Sequence, residues 1–339
     1  MSTSMNKNVQ SFARRLQPMP LVAPRNQTLR VFIPYDGSET SEAVLNNLKR
    51  AGLPEDLEAL VAVTQVWLPT SPEEITRAVR ARRMKLLTSG ISSFVPALRD
   101  YEEQRVLSRE ADDLIRSMFP SGSIETENMQ DVSAVARDIL RRAKTWGAEL
   151  IILGSKTSPS PHITDYCGPA LRIAQDAHCS VRIVRASDRK GDSAVRIMIV
   201  VDESDPTDNL AQVVASRSWP AGSEASIVAV RNNGPRRLVG DSEITPRLQR
   251  LGEKLRAIGL GVSFAIKEGI PTDMLLREAR ELAADCIFID AQGLSQWLSD
   301  GVEDRRLSKV AEALVLGAQC SVEVVRAQSS NGESFKAAA

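Results

Sequence analysis

Short apolar runs alternate along the chain with longer segments in which apolar residues recur at the spacing of an amphipathic helix. The first run, at 30–35, is followed by turn residues and then by a helical pattern over 40–51. The central runs are apolar at every position, which is typical of strands covered by helices on both faces of a parallel sheet. Thr245-Pro246 predicts the start of a helix, because a hydroxyl cap and a first-turn proline are common there. The pattern therefore predicts an α/β protein with doubly wound, Rossmann-like sheets.

The same pattern occurs twice. The ten residues at 177–186 recur 141 positions later, at 318–327, with seven of the ten identical. Further upstream, the first apolar run and its turn, at 30–38, align with 196–204. Because these matches occur in the same order, we predict two copies of one domain, each a five-stranded parallel sheet with helices on both faces.

The domain boundaries follow from the repeat. Two domains agree with a length of 339 residues, since domains commonly contain roughly 150 residues. The first copy is longer, and we assign the extra residues to an insertion at 69–98. Its basic cluster is a solvated face, a cover over the ligand mouth, or a contact for an acidic partner. The predicted order is a disordered tail at 1–28, a first domain at 29–188, a second domain at 189–327, and a disordered tail at 328–339.

Composition excludes several classes of function. The 43 basic and 43 acidic residues balance, so we expect no overall field that would hold nucleic acid. The sequence lacks an apolar run of about 18 residues, so we expect no membrane span, and its start does not resemble a secretory signal. The four cysteines are scattered and histidines number only two, so we recognise no metal ligand set and expect a reducing, cytoplasmic location.

Both copies resemble the universal stress protein family over residues 29–327. The first strand ends in Asp36-Gly37-Ser38, the fourth ends in Gly154, and an Ala-x-Cys-x-Val signature begins the last strand of each copy. The resemblance implies a nucleotide-binding regulatory fold, and it implies that domains pair antiparallel through their last strands.

ATP-binding members of this family carry a glycine motif after the fourth strand, where glycines let the backbone approach phosphates at a helix N-terminus. The first copy keeps the first glycine of the motif, has a threonine at the second, and places the third one residue late. The resemblance implies an adenine nucleotide (ATP, ADP or AMP) in the first domain, with Asp36 and the backbone near Val66 toward the adenine. The candidate binding residues are Asp36, Gly37, Val66, Gly154, Ser155, Thr157 and Gly168.

The second copy departs further from the motif. Asp290 replaces the first glycine, and three more acidic residues follow between 300 and 304. Negative charge disfavours a bound phosphate, so we expect nucleotide binding to be lost in the second domain.

Catalysis is not indicated. Residues 154–157 resemble the end of a P-loop, but Glu149 stands where that motif requires a glycine. A paired nucleophile and base is not recognised, so we assign no catalytic residue. The leading interpretation is a universal-stress-type regulatory protein, and the alternatives are a ligand-free interaction module with degenerate sites and a slow ATP hydrolase.

The last strands also predict how the copies associate. Equivalent positions, interpreted as outward-facing, hold Arg182 in one copy and Glu323 in the other. Pairing unlike copies places opposite charges across from each other, whereas pairing like copies places like charges together. We therefore expect an intrachain pseudo-dimer through the last strands, and a homodimer of the chain and an unidentified protein partner remain open.

Overall fold

The computed structural model describes the stretches of chain that carry the sheet and most of its helices. The described residues are 28–64, 106, 108–129, 135–155, 169–187, 189, 193–201, 209–231, 241–294 and 307–326.

The described part of the first half alternates strands with helices, as its apolar pattern predicts. The strands are β1 (Arg30–Tyr35), β2 (Glu58–Thr64), β3 (Ser123–Met129), β4 (Leu150–Gly154) and β5 (Ser180–Val184). The helices are α1 (Glu39–Asn47), α2 (108–118), α3 (Val135–Trp146) and α4 (Pro169–Asp176), and a 3-10 turn at Lys49–Ala51 follows α1.

The second half repeats this order of elements. Its strands are β6 (Arg196–Val201), β7 (Glu224–Arg231), β8 (Gly261–Glu268), β9 (Cys286–Asp290) and β10 (Ser321–Val325). Its described helices are α5 (Asn209–Ala215), α6 (Asp241–Ala257), α7 (Pro271–Glu281) and α8 (Lys309–Gly317).

All ten strands belong to one sheet, in the order β3-β2-β1-β4-β5-β10-β9-β6-β7-β8. Pairs within each half are parallel, and the two halves have the same internal strand order. The halves meet where β5 pairs antiparallel with β10, with Arg182 directly opposite Glu323. The doubly wound α/β fold class predicted from the sequence is therefore confirmed, and its two five-stranded sheets join into one.

Burial on both faces explains why the central strands, such as β4 and β6, are apolar at nearly every position. In β1, Phe32 packs into a core that runs from the first half into the second, whereas Val31 and Ile33 pack into a separate core on the opposite face. A third core covers that opposite face in the second half. Helices α3, α4, α7 and α8 border the shared core, and α1, α2, α5 and α6 border the other two.

One helix start differs from its prediction. Helix α6 begins at Asp241, so the prediction that it starts at Thr245-Pro246 is wrong. The first four N–H groups of a helix have no intrahelical partner, so a proline shortly after them removes only about one backbone hydrogen bond. Among the described helices, none is both long enough and apolar enough to cross a membrane.

Candidate functional site

The strand order reverses between β1 and β4 in the first half, which is where open α/β sheets bind ligands beyond the carboxyl ends of their strands. Asp36 and Gly37 follow β1, Gly154 ends β4, and Ser155 comes next. Because β1 and β4 are parallel neighbours, these four residues lie at one end of the sheet. The structure thus brings together four of the seven residues predicted as a site.

The turn after β1 is held by its own side chains. The carboxylate of Asp36 accepts a hydrogen bond from the backbone N–H of Ser38, with 3.0 Å between the atoms. Gly37 has a φ of 72°, which side-chain-bearing residues adopt only with strain. The Ser38 hydroxyl then caps α1 by accepting from the N–H of Ser41. Asp36 therefore has a structural role in forming this turn.

Gly154 is in close contact with the start of α1. A Cβ atom added at Gly154 would lie 1.9 Å from the carbonyl oxygen of Thr40, so only glycine fits there. The backbone of Ser155 is also engaged, because its N–H donates to the Val184 carbonyl (3.1 Å) and its carbonyl accepts from Arg185 (2.8 Å). Close packing accounts for Gly154, and the Ser155 N–H already has a protein partner.

The remaining candidates lie outside the described residues. These are Val66, on the adenine side of the predicted site, and Thr157 and Gly168, on its phosphate side. Their roles in ligand binding stay predictions.

The equivalent place in the second half is closed by local hydrogen bonds. The carboxylate of Asp290 accepts from the N–H of Gln292 (2.9 Å). The Ser308 hydroxyl donates to the carbonyl of Gly293 (2.8 Å) and caps α8 by accepting from the N–H of Ala311 (3.2 Å). The first turn of α8 is thus capped by a protein side chain, at the helix end where a phosphate would otherwise bind.

Tyr35, the last residue of β1, was missed by sequence reasoning. Its side chain is buried, and its hydroxyl donates a hydrogen bond to the Glu42 carboxylate on α1. Burial, and then the neighbouring carboxylate, raises the pKa of the phenol well above its usual range. Val201 holds this position in the second copy, so the signal was a tyrosine at the end of the first strand where the other copy has an aliphatic residue.

A groove of about 370 Å³ lies beside the turn after β1, between α1 and the residues that follow β5. Gly37 is the predicted site residue that lines it, together with Glu39 and Glu42 at α1 and Arg189 on the opposite wall. The groove carries both signs of charge and therefore selects no single ligand class.

A buried charge cluster lies at the junction of β5 and β10, here called the seam. The side chains of Arg182 and Glu323 are 1% and 0% exposed, and the Arg182 guanidinium donates to the Glu323 carboxylate at 3.1 Å. The interpretation of these positions as outward-facing is therefore wrong, because the 3-10 turn after α1 and the residues after α5 cover this face of the seam. Arg217 binds both oxygens of Glu323 and also donates to the Ala51 carbonyl of the first half (2.8 Å).

The cluster contains two arginines and one glutamate. Arg182 also donates to the thiol of Cys286 (3.1 Å) and to the side-chain oxygen of Asn47 (3.3 Å). Burial raises the pKa of Cys286 to about 11, so this thiol stays protonated near neutral pH and does not balance the second arginine.

The repeated ten-residue segment supplies reciprocal contacts across the seam. The N–H of Arg185 donates to the Ser321 hydroxyl, and the N–H of Arg326 donates to the Ser180 hydroxyl. Each of these two arginines also donates to carbonyls at the C-terminal end of the last helix of the other half, α8 for Arg185 and α4 for Arg326. Cations are favourable at helix C-termini, so the residues shared by the two copies serve the seam.

The described cysteines are unreactive thiols. Cys179 and Cys286 are buried and Cys320 is partly buried, and all three are free. Burial raises the pKa of Cys179 and of Cys320 to about 12, which keeps both protonated at neutral pH. Within the described residues, no group of three or more histidine, cysteine, aspartate or glutamate side chains could hold a metal ion.

Comparisons with known proteins agree with this fold. Residues 195–326 match the model of the universal stress protein family. A universal stress protein from Archaeoglobus fulgidus is similar in structure, with a TM-score of 0.57, 18% identity, and coverage of 90% of this chain and 98% of that one. A Pseudomonas aeruginosa protein described as a universal stress protein has a TM-score of 0.50, 14% identity and coverage of 88% and 93%.

A smaller universal stress protein from Archaeoglobus fulgidus, solved in complex with dAMP, is also similar to part of the chain. It is 18% identical, and the match covers 40% of this chain and 99% of that one with a TM-score of 0.28. Curated proteins searched with the same sequence returned no match.

Proposed function

Because residues 195–326 match the model of the universal stress protein family, we propose that the chain is a regulatory protein of that type, with one adenine nucleotide in its first half and none in its second. Its action would be linked to the ligand: a bound nucleotide would change the surface offered to a protein partner.

The difference between the two strand ends carries this proposal. In the first half, two glycines, Gly37 and Gly154, border the point where the strand order reverses. In the second half, Asp290 stands in place of the glycine, and the Ser308 hydroxyl bonds to the Gly293 carbonyl and caps α8. Gly37 lines the groove beside α1, whereas in the second half a carboxylate and a capped helix N-terminus oppose a bound phosphate.

The test is nucleotide binding by the full chain, measured by calorimetry with ATP, ADP and AMP and by native mass spectrometry for stoichiometry. We expect one nucleotide per chain. Asp36→Asn keeps an acceptor for the Ser38 N–H, so the turn survives while the carboxylate charge is lost. We expect this variant to bind about 10- to 150-fold more weakly, since a hydrogen bond to a charged group contributes about 1.5–3 kcal/mol. The matched control is Asp202→Asn, at the equivalent repeat position, which we expect to bind like the parent chain.

Two nucleotides per chain, or equal weakening by both variants, would contradict the assignment to the first half. A chain that is purified without nucleotide and shows no thermal shift at millimolar concentrations would instead support the ligand-free interaction module. That alternative is favoured by one observation, namely that the backbone of Ser155 and the carboxylate of Asp36 already have partners within the protein. Phosphate release above the blank, abolished in Asp36→Ala, would support the slow ATP hydrolase.

The seam supports a second part of the proposal, that the two halves act as an intrachain pseudo-dimer. Arg182 of the first half and Glu323 of the second are buried against each other, and Arg217 of the second half reaches the Ala51 carbonyl of the first. These contacts are complementary only between unlike halves. The resemblance to the family implies that its single-domain members pair through their last strands. In this chain that pairing would take place between the two halves, so the chain would supply its own partner domain.

A further inference from the structure

The two edges of the ten-stranded sheet are protected differently. At one edge, β3 carries Glu125 and Glu127 along its length. At the other edge, β8 is uncharged from Gly261 to Ile266. Charged side chains on an edge strand discourage pairing with a further strand, and β8 lacks this protection over most of its length.

Exposed apolar side chains concentrate at the same edge. Four of the six large apolar side chains exposed in the described part of the chain lie on or beside β8. They are Ile258, Phe264, Ile266 and Ile270, with exposures of 40%, 39%, 39% and 68%. Ile258 precedes the strand, Ile270 follows it, and the other two lie two residues apart on one face of it.

The Phe264 ring is held in place by its own helix. It approaches α6 so closely that a Cβ added at Gly252 would lie 2.4 Å from the ring, and the Arg256 guanidinium lies 5.4 Å from the ring centroid. The ring is therefore positioned on the strand before any partner arrives, which lowers the ordering cost of an interface.

We propose that β8 pairs antiparallel with β8 of a second copy of this chain, about a twofold axis through Ala265. In this register, Phe264 of each copy faces Ile266 of the other. The interface therefore contains two identical pairs of an aromatic and a β-branched side chain, which stabilise neighbouring strands. The antiparallel direction also brings the end of the strand near Ile258 toward the end near Ile270 of the second copy.

Charge and neighbouring registers favour this arrangement. Lys267 would face Ser263 of the second copy and keeps its own partner Glu278, 2.6 Å away, so no like charges come opposite each other. Moving the axis to Ile266 would place Phe264 opposite Glu268, a ring against a carboxylate. Moving it to Phe264 would place Ile266 opposite Val262, which already packs against the core of its own half.

The mass of the chain in solution tests the association. Sedimentation over a range of concentrations should show a shift from the 37.0 kDa chain toward twice that mass. Ile266→Glu should abolish the shift and leave the thermal unfolding temperature unchanged, because residue 266 is exposed in the single chain. Leu114→Glu, which removes an exposed apolar side chain from α2, is the matched control and should associate like the parent. A parent chain of single mass at all concentrations, or association that survives in Ile266→Glu, would overturn the proposal.

A cross-linking experiment tests the axis. Ala265→Cys should form a covalent dimer under mild oxidation, because residue 265 would face its own copy. Ser263→Cys should not, although Ser263 is the more exposed residue and would react more readily by random collision. The parent chain under the same oxidant is the blank for the native cysteines. Equal cross-linking of the two variants, or a dimer in which Ala265→Cys does not cross-link, would overturn the proposed arrangement.

Discussion

The buried charge cluster at the seam gives a prediction in which the smaller change has the larger effect. Glu323→Gln is nearly isosteric, but it leaves Arg182 and Arg217 buried together without a counterion. Removing one partner of a buried ion pair costs about 3–5 kcal/mol, because an uncompensated charge stays in a dry environment. We expect Glu323→Gln to lower the free energy of unfolding by about that amount.

Arg182→Met is the matched comparison. It removes the arginine that Glu323 does not need, because Arg217 binds both oxygens of that carboxylate and leaves a neutral pair. The variant also leaves the side-chain oxygen of Asn47 without the donor it has from Arg182, which costs about 1–3 kcal/mol. Arg182→Met should therefore be the milder variant by about 2 kcal/mol, although it removes a larger side chain.

Urea unfolding followed by circular dichroism and tryptophan fluorescence measures both variants. Trp219 reports on the seam, because its ring packs against Gly52 of the first half and edge-to-face with Phe288 of the second. A separate early fluorescence transition would show the halves parting before they unfold. If Glu323→Gln proves no more destabilising than Arg182→Met, the cluster does not behave as a dry site with an excess positive charge, and the reasoning fails.

Two further predictions concern packing and pH. Gly154→Ala should destabilise the chain by more than about 2 kcal/mol in urea unfolding, because its Cβ would overlap the Thr40 carbonyl. The control Gly259→Ala should cost only about 1 kcal/mol, because Gly259 has a φ of 87° but nothing lies within 4 Å of the added Cβ. Equal costs for the two variants would contradict the packing argument. Burial raises the pKa of Cys179 from 9.0 to about 12, so its contribution to stability is complete below about pH 9 and is lost as the pH rises through about 12. The free energy of unfolding should fall less steeply between pH 8 and 11 in Cys179→Ala than in the parent. Parallel pH profiles of the two proteins would show that burial does not raise the pKa of this thiol.

The sequence predicts the class of fold because its main signals are local. Strands buried on both faces need apolar residues at successive positions. The turn at Asp36-Gly37 needs a side chain that accepts a backbone hydrogen bond and a residue that adopts a positive φ, and aspartate and glycine are the residue types that provide these. The repeat then implies the same strand order in both halves, which is the order observed.

The seam was predictable only in part, because its surroundings come from residues distant in the chain. The repeat alignment places Arg182 and Glu323 at equivalent positions. It does not reveal which residues cover these two side chains and bury them. Arg217 joins the cluster from beyond α5, where no pattern marks it. A usable signal was present in the serine and the final arginine shared by the two ten-residue segments, since both make contacts across the seam.

The candidate site shows the same division. The strand ends that meet at the crevice follow from the parallel topology, so Asp36 and Gly154 were assigned to the correct end of the sheet. The nearest contacts of these residues could not be predicted from the sequence, because the approach of Thr40 to Gly154 depends on how α1 packs over β4. A glycine at a strand end is thus explained by packing before any ligand is considered.

The central claim is that two copies of one domain share a single sheet through β5 and β10. Hydrogen exchange of the full chain, resolved to peptides, tests it most directly, because strands paired on both sides exchange slowly and edge strands exchange fast. Peptides over 180–184 and 321–325 should be among the slowest, and slower than the peptide over the edge strand β3 at 123–129. Exchange of both last strands as fast as that of β3 would show that the seam does not form and would contradict the account.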